Sequence, residues 1–501
     1  VLSPSVVVPA AAEQQVQAAL DRVRAELEIP VDFPAAALAE AERAAAAGPG
    51  AAEDRTDLEL VTIDPPGSRD LDQAVAIERR PGGYVLSYAI ADVAAFVTPG
   101  GALDAAVQER GVTVYGPTGS IPLHPPALSA GAASLLPGEI RPACVWRLVL
   151  DDDGTLREAD VRRGLVRSRA QLTYAQVQAV VDGGHDPEVP AHLPDLLREV
   201  GTARQAQEHA RGGVSLDLPE QEVVPADGGY ALELRATLPV EGWNAQISLL
   251  TGIAAAGIMR ECGIGVLRTL EEADPRDLAR LRRTARALGI DWPAAASYPD
   301  LVRGLDSGVP AHAAFLTAAT SLFRGAGYLA FGVDPGAGNG RPDAGNGRPG
   351  SGDGPAPAGS RHAAIAAEYA HVTAPLRRLV DRYGLEVCLA ARAGQEVPDW
   401  VRTALPSLPR TMARTTQRAS RFENAAVNVV EALVLAGREG ETFEGVVVDL
   451  DEAGRGTVVV GEPAVRGEVT GADLPLGEPV RVRLEAVDAV EHRVRFVLAG
   501  S

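Results

Sequence analysis

Three carboxylates lie within nine positions of one another, in Thr62-Ile63-Asp64 and in Arg69-Asp70-Leu71-Asp72-Gln73. Leu58, Leu60 and Thr62 alternate with Glu59 and Val61, Pro65-Pro66-Gly67-Ser68 reads as a turn, and Ala74-Val75-Ala76-Ile77 resumes an extended run. Asp70 and Asp72 are two apart and so share one face of an extended segment, and the turn can bring Asp64 alongside them. Carboxylates crowded in this way repel one another unless a hard divalent cation sits among them, and Mg²⁺ takes oxygen ligands of this kind. The bland alternative is a set of solvated turn acids, because Asp is common beside Pro and Gly.

A second polar group stands far downstream. The stretch Tyr369-Ala370-His371-Val372-Thr373-Ala374-Pro375-Leu376-Arg377-Arg378-Leu379-Val380-Asp381 places two adjacent arginines after a Thr-x-Pro break, where the pattern predicts a helix over 377–391. Arg forks bind phosphate oxygens in bidentate fashion, and a helix N-terminus adds N–H donors and a favourable dipole. An acidic metal cluster together with such a helix start suits phosphodiester hydrolysis.

On these residues the chain resembles the ribonuclease II / ribonuclease R family of exoribonucleases. The similar segments are the two above, Ile90-Ala91-Asp92-Val93, Arg110-Gly111-Val112-Thr113-Val114-Tyr115-Gly116-Pro117, Ile121-Pro122-Leu123 and Ser134-Leu135-Leu136-Pro137, in order over residues 58–436. Two positions depart from the family pattern. Gln73 stands where a further aspartate is usual, and the helix that normally bears paired glutamates carries amides, Asn244 and Gln246.

The resemblance implies a hydrolytic 3′-to-5′ exoribonuclease that needs Mg²⁺, with Mn²⁺ as a substitute, and processively releases nucleoside 5′-monophosphates. It makes Asp64, Asp70 and Asp72 the metal and catalytic carboxylates, Asp72 the essential one, with Gln73 in the metal set. It puts Arg377 on the scissile phosphate. Arg378 either joins it as a substrate contact or pairs with Asp381. Tyr115 would stack on the last base, Tyr174 would bond the ribose 2′-OH, and Glu423 would lie near the terminal nucleotide. Because the chemistry is metal-driven, His362 and His371 are expected in core or capping roles. The expected partners are single-stranded RNA and RNA with 3′ overhangs. Family members usually carry two β-barrels ahead of the catalytic domain, which residues 1–57 are too few to build, so an open entrance that admits duplexes from a 3′ overhang is expected. A catalytically impaired RNA-binding protein on the same fold is the rival, motivated by Gln73. A phosphodiesterase for small substrates is a third reading.

These motifs must be positioned by an α+β body. At 501 residues, a prior of about 100–200 residues per domain allows two to four domains. The expected organisation is a small helical region over 1–57, helix-turn-helix-like or a packing appendage, an RNB-type catalytic domain over 58–436, and a C-terminal OB-fold β-barrel over 441–501. In the body, strands are expected at 84–90, 143–150 and 161–166, and helices at 245–261, 276–288 and 415–435. The Gly/Pro/Asn/Asp-rich tract over 332–360 repeats Ala-Gly-Asn-Gly-Arg-Pro and reads as a disordered loop. Five short alternating segments after 440 suit the barrel, whose only aromatics are Phe443 and Phe496.

A formal charge of −20 is unusual for an RNA binder, but its distribution matters more than its total. Residues 361–440 hold eleven Arg against eight acids, enough to line a local positive channel. No apolar run approaches the roughly 20 residues that span a bilayer, so no membrane partner is expected, and a cytoplasmic monomer is. Cys144, Cys262 and Cys388 lack metal or disulfide spacing and read as buried apolar residues.

Overall fold

The computed structural model describes residues 10–48, 50–117, 119–216, 220–226, 229–235, 237–333, 357, 359–451, 454–461, 465–488 and 493–499. Most of the expected loop over 332–360 lies outside the described residues. In chain order the helices are α1 (Ala10–Glu26), α2 (Ala35–Ala47), α3 (Ala102–Arg110), α4 (Tyr174–Val181), α5 (Leu193–Ala210) and α6 (Pro239–Cys262). Then follow α7 (Pro275–Ala287), α8 (Tyr298–Arg303), α9 (Pro310–Ala319), α10 (Leu379–Arg392), α11 (Asp399–Ala404) and α12 (Leu408–Leu435).

A five-stranded sheet forms the floor of the body, in the order Glu53–Asp54, Leu156–Arg167, Ile140–Asp151, Gly83–Ala91, Gln73–Arg80. Its long strands are antiparallel and rich in Val, Ile and aromatic residues, and Leu86, Tyr88, Ile90, Trp146 and Leu148 are buried. α6 and α10 contribute to the same core through Ile247, Leu250 and Val387. Pro239 sits in the first turn of α6, where its missing N–H costs nothing, Glu241 accepts the Leu238 N–H at 3.1 Å, and Gly263 ends the helix at φ 76°. The architecture is α+β, as the pattern of elements predicts.

α12 links three hydrophobic clusters, and this explains its 28 residues. Leu408 and Met412 enter the main core. Ala419, Phe422, Ala426 and Val429 pack against Val16, Ala19 and Leu20 of α1. Val430, Val434 and Leu435 enter the barrel core. α1 therefore rests on α12, while α2 packs beside α3. The two N-terminal helices thus dock at different places on the body.

The C-terminal strands close into a barrel in the order Thr442–Leu450, Gly456–Val460, Val465–Thr470, Arg493–Leu498, Pro479–Asp488. Side chains alternate inward and outward along Val465–Thr470 and most of Pro479–Asp488. Phe443 and Phe496 meet edge to face at 6.1 Å inside it, both buried. Among the described residues the barrel thus exposes no Phe, Tyr or Trp ring on which a base could stack. Among the described residues no helix is long and apolar enough to cross a membrane. All three cysteines are free; Cys144 and Cys388 are buried, whereas Cys262, at the end of α6, is only partly so.

Candidate active site

The acidic loop is held from both sides by main-chain bonds. Ser134, fully buried, donates its hydroxyl to the Arg69 carbonyl at 2.6 Å and accepts the Leu71 N–H at 3.0 Å. The Leu135 N–H bonds the Leu71 carbonyl at 3.0 Å and the Ala91 N–H bonds the Asp72 carbonyl at 2.9 Å. With the Leu71 side chain in the core, Asp72 reaches the arginine turn and Asp70 lies close enough for its charge to act on Asp64 and Tyr115. The hairpin expected here closes where Val61 and Val75 exchange backbone bonds. Thr62–Asp64 itself pairs in parallel with Gln171–Thr173, which sets Asp64 opposite Thr173 and next to Tyr174. That crossover was not legible from local sequence.

Arg377 and Arg378 lie just before α10 rather than in its first turn. Arg378 is the cap residue, with φ −136° and ψ 125°. The turn that carries them is fixed by Asp381, which accepts the Ala374 N–H at 2.6 Å, and by Asp72, whose Oδ1 accepts the Leu376 N–H at 2.8 Å. The two arginines then diverge. Arg378 forks onto buried Asp381 through Nε at 2.9 Å and Nη2 at 2.8 Å. Burial alone would lower the Arg378 pKa, but Asp381 overrides it and raises it. Arg377 stays 46% exposed with its Nε 3.5 Å from Asp72 Oδ2, and its charge also acts on Asp64, Tyr115 and Tyr174. Of the two guanidiniums it is the more exposed, 46% against 21%.

Around these charges stand the other expected residues. Tyr115, 44% exposed on the short strand Val114–Gly116, feels the charges of Asp70, Asp72 and Arg377. Its N–H approaches Glu423 Oε1 of α12 at 3.4 Å. The Tyr174 hydroxyl accepts from Asn244 Nδ2 at 3.3 Å, so the amide on α6 faces the site. Gln246 points the other way, donating to Glu208 of α5. Gln73 donates its amide to the Thr373 carbonyl, and the Thr373 hydroxyl meets Ser248 of α6 at 2.8 Å. An aspartate at position 73 could not donate that bond. His371 is buried against the Tyr328 hydroxyl at 2.8 Å, and burial holds it well below the usual imidazole range, so it stays neutral at pH 7.

Burial dominates the electrostatics of the acids. It pushes the Asp72 carboxyl up to about 8, even though Arg377 and the Leu376 N–H favour its charged form. It lifts Asp64 to about 6, with Asp70 adding a smaller push. The unfolded chain releases the Asp72 proton near 3.8 whereas the native state keeps it to about 8. Across that window the native state binds more protons, so this group makes chelated protein less stable as pH rises, until the effect levels off above 8.

The residues fit a divalent cation. Asp64 Oδ2 is buried without a hydrogen-bond partner, and a hard cation is what relieves such an oxygen. No group of three or more His, Cys, Asp or Glu side chains that could hold a metal ion occurs among the described residues, so water and phosphate oxygens would have to supply much of the coordination. Proton and cation then compete for the same oxygens. The affinity for Mg²⁺ should therefore strengthen as pH rises from 6 to 8, with proton release on binding, and calorimetry in buffers of different ionisation enthalpy measures both. A pH-independent affinity would contradict this arrangement.

Ser134, Ser248 and Thr373 position the site, and sequence reasoning assigned none of them a role. Their partners lie 63–65 residues away for Ser134 and 125 apart for the other two, so no spacing rule could find them.

Two domain families match this chain, the RNB domain over residues 52–384 and the RNase II-type exonuclease C-terminal S1 domain over 441–499. Ribonuclease R of Aquifex aeolicus is 28% identical over 491 residues, an alignment that covers 87% of this chain and 63% of the relative. The chain thus spans less than two thirds of that relative's length. The structure of Mycoplasma genitalium RNase R in complex with ribose methylated single-stranded RNA superposes with a TM-score of 0.81 at 18% identity, covering 97% of this chain and 78% of the other. The same protein in complex with double-stranded RNA gives 0.78 at 20% identity, covering 97% and 83%.

Proposed function

Because the chain belongs to the RNB family, whose exoribonucleases are hydrolytic 3′-to-5′ enzymes, we propose that it removes nucleoside 5′-monophosphates one at a time from the 3′ end of RNA. The observation that carries this reading is that Arg377, 305 positions beyond Asp72, lies against Asp72 and acts on Asp64, with Asp70 beside Asp64.

Each residue has a task in such a reaction. Arg377, half-exposed and beside Asp72, balances the charge that grows on the scissile phosphate as water attacks phosphorus and the 3′-oxygen of the penultimate nucleotide leaves. A Mg²⁺ ion among Asp64, Asp70 and Asp72, or Mn²⁺ in its place, would supply Lewis-acid neutralisation of the phosphate oxygens. Gln73 holds the Thr373 carbonyl and so supports the turn that presents Arg377. Tyr174, already bonded to Asn244, lies where a ribose 2′-OH could be read. Tyr115, with its ring exposed beside Asp70 and its backbone against Glu423, is the stacking surface for the last base. Movement by one nucleotide recreates the same contacts, which favours processive digestion.

RNA labelled at its 3′ end tests direction: the label should appear at once as a mononucleotide, and its retention in long fragments would refute the reading. Tyr115→Ala should lengthen the final product, since a base stack worth about 1–3 kcal/mol is lost; electrophoresis at nucleotide resolution reads this, and an unchanged end product would remove Tyr115 from the clamp. The duplex-bound RNase R structure supports the further proposal that a duplex with a 3′ overhang is digested. A hairpin with a 3′ tail checks it, and accumulation of a fragment ending a fixed distance before the stem would contradict it. The second reading, an RNA binder that does not cut, rests on Gln73. It requires a shifted but intact band in the same assays.

A further inference from the structure

The segment between α1 and α2 is fastened to the site by a buried cation that the chemistry itself does not use. Arg110 ends α3, is 4% exposed, and pairs with no carboxylate among the described residues. Its Nη1 donates to the Pro122 carbonyl at 3.1 Å, and Nη2 to the Val31 and Asp32 carbonyls at 3.0 and 2.9 Å. The guanidinium lies 3.6 Å over the Phe33 ring. A buried guanidinium is costly, and here its charge is balanced by carbonyl dipoles and a ring face. Three bonds to carbonyls on two segments need the flat fork of Arg; a Lys ammonium could not span them from one position.

The residues that follow Arg110 run directly to the site. The Gly111 carbonyl accepts the Leu379 N–H at 2.9 Å, and the Thr113 N–H donates to the Arg377 carbonyl at 3.0 Å. These bonds make 111–113 the rail on which the Arg377 turn lies, and the next residues form the Tyr115 hairpin. Gly111 has φ +69°, and an added Cβ would sit 2.2 Å from Thr415 Oγ1, so the rail also lies tight against α12. Arg418 of α12 clamps the same place from the rim, donating to the Glu28 carbonyl at 3.2 Å and the Glu109 carbonyl at 2.9 Å. Behind the hairpin, Leu20 and Ile29 share a core with Val114, Ile121 and Phe422.

We propose that Arg110 is a positioning residue that couples segment 28–33 to the Tyr115 hairpin and the Arg377 turn, so that the N-terminal helical region sets the geometry of the terminal-nucleotide clamp. The end-product part of this proposal rests on the nuclease reading above; the coupling itself does not. Freed from its anchor, the rail shifts both Tyr115 and Arg377 relative to the acids, and misplacement of about 1 Å is enough to cost about a hundredfold in rate.

The test uses the full chain with Arg110→Lys, which keeps the charge but not the fork, and Arg418→Ala, which loosens the same segment without leaving a buried cavity. In each folded variant the Thr113 and Leu379 amides should exchange hydrogen about tenfold faster, while amides of the strand Ile140–Asp151 keep their protection. On RNA, kcat should fall with KM little changed, and the end product should lengthen. Unaltered exchange at both amides would overturn the coupling whether or not the parent cuts RNA. Faster exchange with an unchanged end product and kcat, in a parent that does cut, would overturn the role in positioning the clamp. A parent that cuts nothing would fail the nuclease reading alone and leave the exchange result to decide the coupling.

Discussion

Asp72→Asn is expected to slow hydrolysis at least about a thousandfold, ~4 kcal/mol of transition-state stabilisation, while the fold and RNA binding persist. Burial keeps the Asp72 carboxyl protonated to about pH 8 when no cation is bound, so an amide copies the neutral form that the fold already tolerates. Its carbonyl oxygen can still accept the Leu376 N–H now held at 2.8 Å. Only the ionised state is lost, the state that a cation and the neighbouring Arg377 require. Single-turnover rates and filter binding separate the two effects. Turnover like the parent's would remove Asp72 from the reaction.

The two adjacent arginines should fail in opposite ways. Arg377→Ala removes a guanidinium that is 46% exposed and 3.5 Å from Asp72, so little stability is lost, but the rate should fall roughly 10²–10³-fold through lost charge stabilisation. Arg378→Ala leaves Asp381, which has no exposed surface, without its bidentate partner, and breaking a buried pair costs about 3–5 kcal/mol. Thermal melts beside kinetics distinguish them. A large stability loss in Arg377→Ala with an unchanged rate in the folded fraction would reverse the assignment.

Much of this was legible in the chain because its signals are local. Apolar runs over 84–90 and 143–150 placed the central sheet strands, which are buried along most of their length, and 161–166 placed their neighbour. The five alternating segments after 440 form the barrel strands, Gly456–Val460 and Arg493–Leu498 among them. The start of α10 was not: the pattern predicts Arg377 as helical, but the Asp72 and Asp381 carboxylates take the Leu376 and Ala374 N–H groups and hold the chain in a turn until Leu379. That is a tertiary contact, invisible to a local window. For the same reason the bond from the Gln73 amide to the Thr373 carbonyl, three hundred residues away, is not readable from the sequence. The split between Asn244, facing Tyr174, and Gln246, facing Glu208, follows from a two-residue step that carries the side chain about 200° around a helix. Sequence could offer both residues but not choose between them.

The central claim, that the Asp64, Asp70, Asp72 and Arg377 constellation hydrolyses RNA, is tested most directly by mixing the purified chain with a 5′-labelled oligoribonucleotide and Mg²⁺, beside Asp72→Asn and a chelated control. The expected result is a ladder that collapses to one short labelled product with the parent, and full-length RNA, bound but uncut, in both controls. A parent that only shifts the intact band, or digestion that continues undiminished in Asp72→Asn or after exhaustive chelation, would contradict it.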